Sequence, residues 1–177
     1  MLDLRGDRAA WPLDLKSWRD DPTERETFAS WWTRFGDRLP GLHPQAAEQW
    51  IHRHFNYSPY YGIPLEELAS RHELWTTQAI LDDVYIGEPL HPEFTYTQMR
   101  HTHTAKTMME TGTWDYPLLV MHAPEGFRDW AGEHPHCHYC LIEGHQRFRF
   151  LNALAHRGEG RPEHDVLVLS YHSLCAG

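Results

Sequence analysis

The segment Glu143-Gly144-His145-Gln146-Arg147 gathers a carboxylate, an imidazole, an amide and a guanidinium around one glycine. The apolar run Cys137-His138-Tyr139-Cys140-Leu141-Ile142 precedes it, and a helix-patterned run from His145 to His156 follows. These patterns put Gly144 at a strand-to-helix junction. Such a junction leaves the first backbone N–H groups of the helix without intrahelical partners. Together with the helix dipole they bind anions, phosphate above all. Gly144 lets the chain turn sharply and lets a ligand approach the backbone. Phe148, Phe150, Leu151, Leu154 and Ala155 form one apolar stripe, with Arg147 near its middle. A guanidinium there faces inward at the positive end of the dipole and needs an anionic partner. Two kinds of partner satisfy it: an internal carboxylate (Glu143, Asp115 or Glu110) or a bound phosphate.

A second group is His134-Pro135-His136-Cys137-His138-Tyr139-Cys140. A Cys-x-x-Cys pair chelates zinc from a turn or a helix start. If this segment enters a strand, Cys137 and Cys140 point to opposite faces and share no metal. His136 and His138 then fall on one face and are the candidate Zn²⁺ ligands. The alternatives are a buried, apolar Cys140 with surface histidines, and histidines that line the pocket beside Gly144. His101 and His103 diverge if their segment is helical. Tyr57, Tyr60 and Tyr61 form a candidate substrate-facing patch.

The elements that must position these groups follow from pattern and punctuation. Asp21-Pro22 opens a helix bearing Phe28, Trp31, Trp32 and Phe35 and ending near Gly36 or Pro40. A second helix follows His43-Pro44 and runs through Trp50 and Ile51 to about Phe55. Residues 56–64 are a turn-rich connector, and a short helix spans Leu65 to Arg71. Residues 76–82 fit helix or strand, and Val84-Tyr85-Ile86 a short strand. Thr95–Glu110 reads as one helix ended by Gly112. Tyr116–Met121 is a buried strand, residues 122–136 a polar loop, and Val166–Tyr171 the last strand. The expected architecture is α+β: a Trp-rich helical extension over residues 1–72 and a small mixed sheet with helices over 73–177. The tryptophans are expected to pack onto that sheet, or onto a second copy or another protein partner, in preference to forming a ligand cage.

The order of strand, loop, strand, Glu143-Gly144-His145-Gln146-Arg147, helix and strand resembles the ParB/sulfiredoxin-like superfamily. Met108-Met109-Glu110-Thr111-Gly112-Thr113-Trp114-Asp115-Tyr116-Pro117-Leu118-Leu119-Val120 is similar to the helix, glycine turn and proline-led strand that precede its turn. The resemblance covers about the last hundred residues. It implies nucleotide phosphate at Gly144, His145, Gln146 and Arg147, with Arg147 as clamp and His145 on the phosphate or the transferred group. Glu143 would act as a base or assist a metal. It further implies a Mg²⁺-dependent phosphotransferase or a hydrolase of ATP or another nucleoside triphosphate. Sulfiredoxin has cysteine directly after the glycine; His145 stands there, which removes that chemistry. Residues 84–89 lack the arginine box of partition proteins, so a DNA clamp is not expected. The alternatives are a non-catalytic nucleotide or anion sensor, or a zinc-supported structural protein.

Composition sets the outer bounds. The chain has 177 residues, 41% of them hydrophobic, with 8 Trp, 8 Tyr and 7 Phe, enough to build a core. A net charge of -9 argues against non-specific nucleic-acid binding, which needs lysines and arginines against phosphates. Its 15 histidines make the charge sensitive to mildly acidic pH. No apolar stretch suits a membrane span or a secretory signal, and three cysteines do not make a disulfide framework. A cytoplasmic setting is therefore expected.

Overall fold

The computed structural model describes residues 1–6, 12–18, 24–55, 60–87 and 91–171. In chain order the strands are β1 (Leu2–Asp3), β2 (Leu68–Thr76), β3 (Val84–Tyr85), β4 (Leu118–His122), β5 (Phe127–Arg128), β6 (Glu133–His134), β7 (Tyr139–Glu143) and β8 (Glu163–Tyr171). The helices are α1 (Phe28–Phe35), α2 (Pro44–Ala46), α3 (Thr77–Asp83), α4 (Pro92–Met99), α5 (His103–Thr111) and α6 (His145–His156). A π-helical turn, Ala47–His52, continues α2. The main sheet runs β2-β8-β4-β7-β3 and mixes parallel and antiparallel pairs. The architecture is α+β.

Strands β4 and β8 are central and buried on both faces, which is why they read as unbroken apolar runs. Leu118, Val120, Leu141, Val166 and Val168 face a layer built from α3, α5 and α6, with Ile80, Met108, Phe150 and Leu151 in its core. Leu119, Met121, Cys140, Ile142, Leu167 and Leu169 face the other way, onto Leu4, Trp31, Trp50, Ile51 and Phe55. The Trp-rich segment is thus the third layer of a helix–sheet–helix sandwich. Trp31 and Trp50 are both fully buried. Each removes about 150–250 Å² from water, worth roughly 4–6 kcal/mol gross.

The layer is locked by polar contacts. Thr27 Oγ1 accepts the Ser30 N–H at the start of α1, and His43 Nδ1 accepts the Gln45 N–H at the start of α2. The expected start at Asp21-Pro22 and the candidate Tyr57 lie outside the described residues. Tyr60 is buried and donates its hydroxyl to the Leu141 carbonyl at 3.1 Å, so it braces the sheet and faces no substrate.

Four elements differ from expectation. Leu65–Arg71 is not a helix: a single 3-10 turn, Leu65–Glu67, passes directly into β2. This strand pairs with β8 from Leu68↔Tyr171 to Thr76↔Glu163. The boundary placed between residues 72 and 73 falls inside it. Leu65-Glu66-Glu67-Leu68-Ala69 favours a helix locally, but pairing along the free edge of β8 overrides that preference. Residues 95–110 form two helices because Thr102 Oγ1 caps α5 by accepting the Ala105 N–H. The 122–136 loop contains β5 and β6, which join β1 in a small second sheet. Finally, β7 begins at Tyr139, so Cys137 and His138 precede it.

Two buried histidines are held by internal partners. His164 lies 3.0 Å from Thr77 Oγ1 through Nε2 and 2.9 Å from Thr113 Oγ1 through Nδ1. His52 Nε2 meets the Glu26 carbonyl at 2.9 Å, and its ring packs edge-on against Phe28 and Trp31. Burial lowers the pKa of both below the ordinary 6.5. The unfolded chain therefore takes up protons that the fold excludes. Their contribution is complete above the unfolded value and is lost as pH falls from about 6.5 toward the folded values, by at most about 1.4 kcal/mol per pH unit for each. Thermal unfolding measured from pH 7.5 to 5 should show a falling midpoint; a flat profile would contradict neutral burial.

Candidate anion-binding site

Strand β7 passes into α6 through Gly144 alone. Gly144 has φ +105 and ψ 22, a left-handed conformation. A Cβ there would lie 2.6 Å from Leu118 Cδ2, so the turn requires glycine. Among the described residues no side chain caps this end of α6. The Phe148 N–H bonds to the Gly144 carbonyl at 2.9 Å, which closes the first turn. The N–H groups of His145, Gln146 and Arg147 precede that bond and make no hydrogen bond among the described residues, as the junction predicts.

Arg147 points inward and is 9% exposed. Its Nη1 donates to the carbonyls of Tyr116 (2.5 Å) and Pro117 (3.1 Å), and its Nη2 to Gln49 Oε1 at 2.8 Å. Gln49 Nε2 returns a bond to the Pro117 carbonyl at 3.1 Å. Glu143 Oε1 stands 3.9 Å from Nη2. Of the two partners open from sequence, the structure supplies the internal carboxylate, at the edge of bonding range, and adds a cage of amide oxygens. Burial lowers the guanidinium pKa, but arginine remains a cation. Arg147 thus binds the N-terminal layer, the approach to β4 and α6 together. It also fixes positive charge under the turn.

Around the turn lies a cavity of about 630 Å³, lined also by Gln49, Arg53, His54, His103, Asp115 and Tyr116. His54 Nδ1 is 3.0 Å from Glu143 Oε2, and the Gly144 N–H donates to Glu143 Oε1 at 2.9 Å. Burial raises the Glu143 pKa, but His54, the Gly144 N–H and Arg147 outweigh it and hold the carboxyl below its ordinary value. Burial depresses His145 against the opposing pull of Glu143, with help from Arg149 and Arg147. Burial thus favours the neutral, hydrogen-bonding form of the His145 ring. Arg53 is held at the cavity wall by Glu48 Oε1 (2.6 Å) and the Tyr116 hydroxyl (2.9 Å).

The structure brings Glu143, Gly144, His145, Gln146 and Arg147 onto one cavity, and Gln146 is exposed there. Sequence reasoning missed Gln49, Arg53 and His54. The signal for the last two was slight: a polar His52-Arg53-His54 run closing an aromatic helix.

His136 and His138 do not join this site. They line a separate cavity of about 530 Å³ at the far end of β7, with Asp82, Asp83, Tyr85 and Cys137. Both precede the strand, His136 in a turn and His138 in irregular backbone, so strand alternation does not govern them. Cys140 is buried with Sγ 3.7 Å from the Tyr60 hydroxyl, and burial pushes its thiol up to about 12. Cys137 lines that cavity and Cys140 does not. Among the described residues no three His, Cys, Asp or Glu side chains are grouped to hold a metal ion. No helix among them is long and apolar enough to cross a membrane.

Comparison of the chain with protein-family models, with curated proteins and with solved structures gave no match.

Proposed function

We propose that this protein binds a nucleoside triphosphate on a ParB/sulfiredoxin-like scaffold and hydrolyses or transfers its terminal phosphoryl group. The observation that carries this reading is the uncapped amino end of α6 opening into a cavity of about 630 Å³. That volume lies within the range of small-molecule and cofactor sites, roughly 300–1,000 Å³. Phosphate accepts the N–H groups of the first turn, over a glycine that lets it come close. Arg147 contributes field from below without touching the ligand. Neutral His145 donates its one ring N–H to a phosphoryl oxygen.

Mg²⁺ fits here as a companion of the phosphates. Glu143 is engaged by His54 and Gly144, whereas Asp115 is exposed at the cavity and would take the metal. One or two carboxylates together with phosphate oxygens form the usual magnesium shell. Such a metal neutralises charge on the transferred group.

Thermal unfolding against ATP, GTP, CTP and UTP, each with and without Mg²⁺, tests the reading. A nucleotide at a hundredfold excess over its Kd adds about 2.7 kcal/mol to the folded state. One nucleotide should raise the midpoint clearly. If all four leave it unmoved, nucleotide binding is lost as an explanation of the turn.

A further inference from the structure

We infer that His54, supplied by the N-terminal layer, is the general base of this site and that Glu143 is its positioning residue. The inference rests on the nucleotide reading above and assigns the proton transfer within it.

The geometry selects one tautomer. Glu143 Oε2 lies 3.0 Å from His54 Nδ1. A carboxylate only accepts, so Nδ1 carries the ring proton. The neutral ring then offers the lone pair of Nε2. The His54 side chain is 45% exposed and lines the cavity. Among the described residues Nε2 has no hydrogen-bond partner.

Glu143 also fixes where that base stands. Its other oxygen accepts the Gly144 N–H, so the carboxylate is anchored to the turn that would hold phosphate. Base and anion site are thus hung from two adjacent residues, Glu143 and Gly144. From the other side, the π-helical turn Ala47–His52 sets the direction of the residues that follow, a device found often at functional sites. Arg53, tied to Glu48 and Tyr116, stops that helix end from swinging away. An imidazole oriented by a carboxylate beside an oxyanion site is the arrangement that activates a hydroxyl.

In the step this permits, an attacking water gives one proton to His54 Nε2 as its oxygen bonds to the terminal phosphorus. The bond from that phosphorus to the bridging oxygen breaks, and its electron pair leaves with the nucleoside diphosphate. His54 afterwards returns the proton to solvent. An alcohol in place of water makes the same step a transfer.

The test uses the whole chain with ATP, GTP, CTP and UTP and Mg²⁺. It measures nucleotide binding by thermal shift and phosphate release by kcat, for wild type, His54→Ala and Glu143→Gln. Because His54 is partly exposed, its removal should spare the fold. The expected result for His54→Ala is unchanged binding with kcat lower by about 10²- to 10⁴-fold, as for loss of a general base. Free imidazole should restore part of that loss by entering the space left by the ring. Glu143→Gln should also lose kcat, and imidazole should not restore it. An unchanged kcat in His54→Ala, or a loss that imidazole does not relieve, overturns the assignment. Wild-type protein that binds nucleotide but releases no phosphate overturns the base and leaves the binding reading standing. Wild-type protein that binds none overturns the reading beneath it.

Discussion

The Arg147→Ala protein should melt roughly 10 °C below wild type, reflecting a loss of about 3–5 kcal/mol. Arg147 is buried, and its guanidinium serves three oxygens from two other parts of the chain. Truncation leaves the Tyr116 carbonyl and Gln49 Oε1 without their donor. Each buried group left unsatisfied costs about 1–3 kcal/mol. The Pro117 carbonyl suffers less, because Gln49 still reaches it. The empty volume adds a cavity cost. Arg147→Met would refill that volume without replacing the hydrogen bonds, so it should recover only the packing part. Arg147→Lys keeps the charge but offers a point donor in place of a planar fork, and should also fall short. Differential scanning calorimetry of the three variants checks this. An alanine variant that melts with the wild type would mean that the guanidinium serves the cavity and not the fold. The resemblance assigns Arg147 to the ligand, whereas the structure uses it to join layers. Binding by these variants must therefore be measured well below their melting points.

Gly144→Ala is the second large effect, expected to destabilise by roughly 3–4 kcal/mol. Two independent penalties add there. The left-handed φ of +105 strains any residue with a Cβ, and that Cβ would sit 2.6 Å from Leu118 Cδ2 and 3.1 Å from Arg147 Nη2. Leu118 is fully buried in a central strand and has little room to retreat. Gly158 supplies the control. It has φ +69 but nothing within 4 Å of its would-be Cβ, so Gly158→Ala should cost only the backbone strain, about 1–2 kcal/mol. Chemical denaturation of the pair separates conformation from crowding. Equal losses at both positions would remove the argument for close packing under the turn. Gly144→Ala should also weaken nucleotide binding, since relieving the contact with Leu118 and Arg147 shifts the turn whose N–H groups would hold phosphate.

What could be read from the sequence was local. The β7–Gly144–α6 junction was legible because a short apolar run gives way to helical spacing at one glycine, and the inward position of Arg147 followed from the same spacing. The apolar runs of β4 and β8 were legible because central strands bury both faces. What escaped depends on distant pairing. β2 forms on a helix-prone stretch because β8, far away in sequence, offers it an edge. Gln49 meets Arg147 across 98 residues and His54 meets Glu143 across 89, and neither partner carries a spacing that marks it. The Trp-rich segment reads as an extension because its own helices are amphipathic. Only the second apolar face of the sheet reveals it as a layer that completes both the core and the cavity. His136 and His138 stand out by composition, yet they lie at the other end of β7 from the turn.

The amino end of α6 is the proposed ligand site. Amide resonances of ¹⁵N-labelled protein, followed during titration with the stabilising nucleotide and Mg²⁺, test it most directly. The expected changes concentrate on Gly144, His145, Gln146 and Arg147, with His54 responding across the cavity. Changes clustered instead on residues 82–87 and 136–139, or an unchanged spectrum around Gly144, would contradict it.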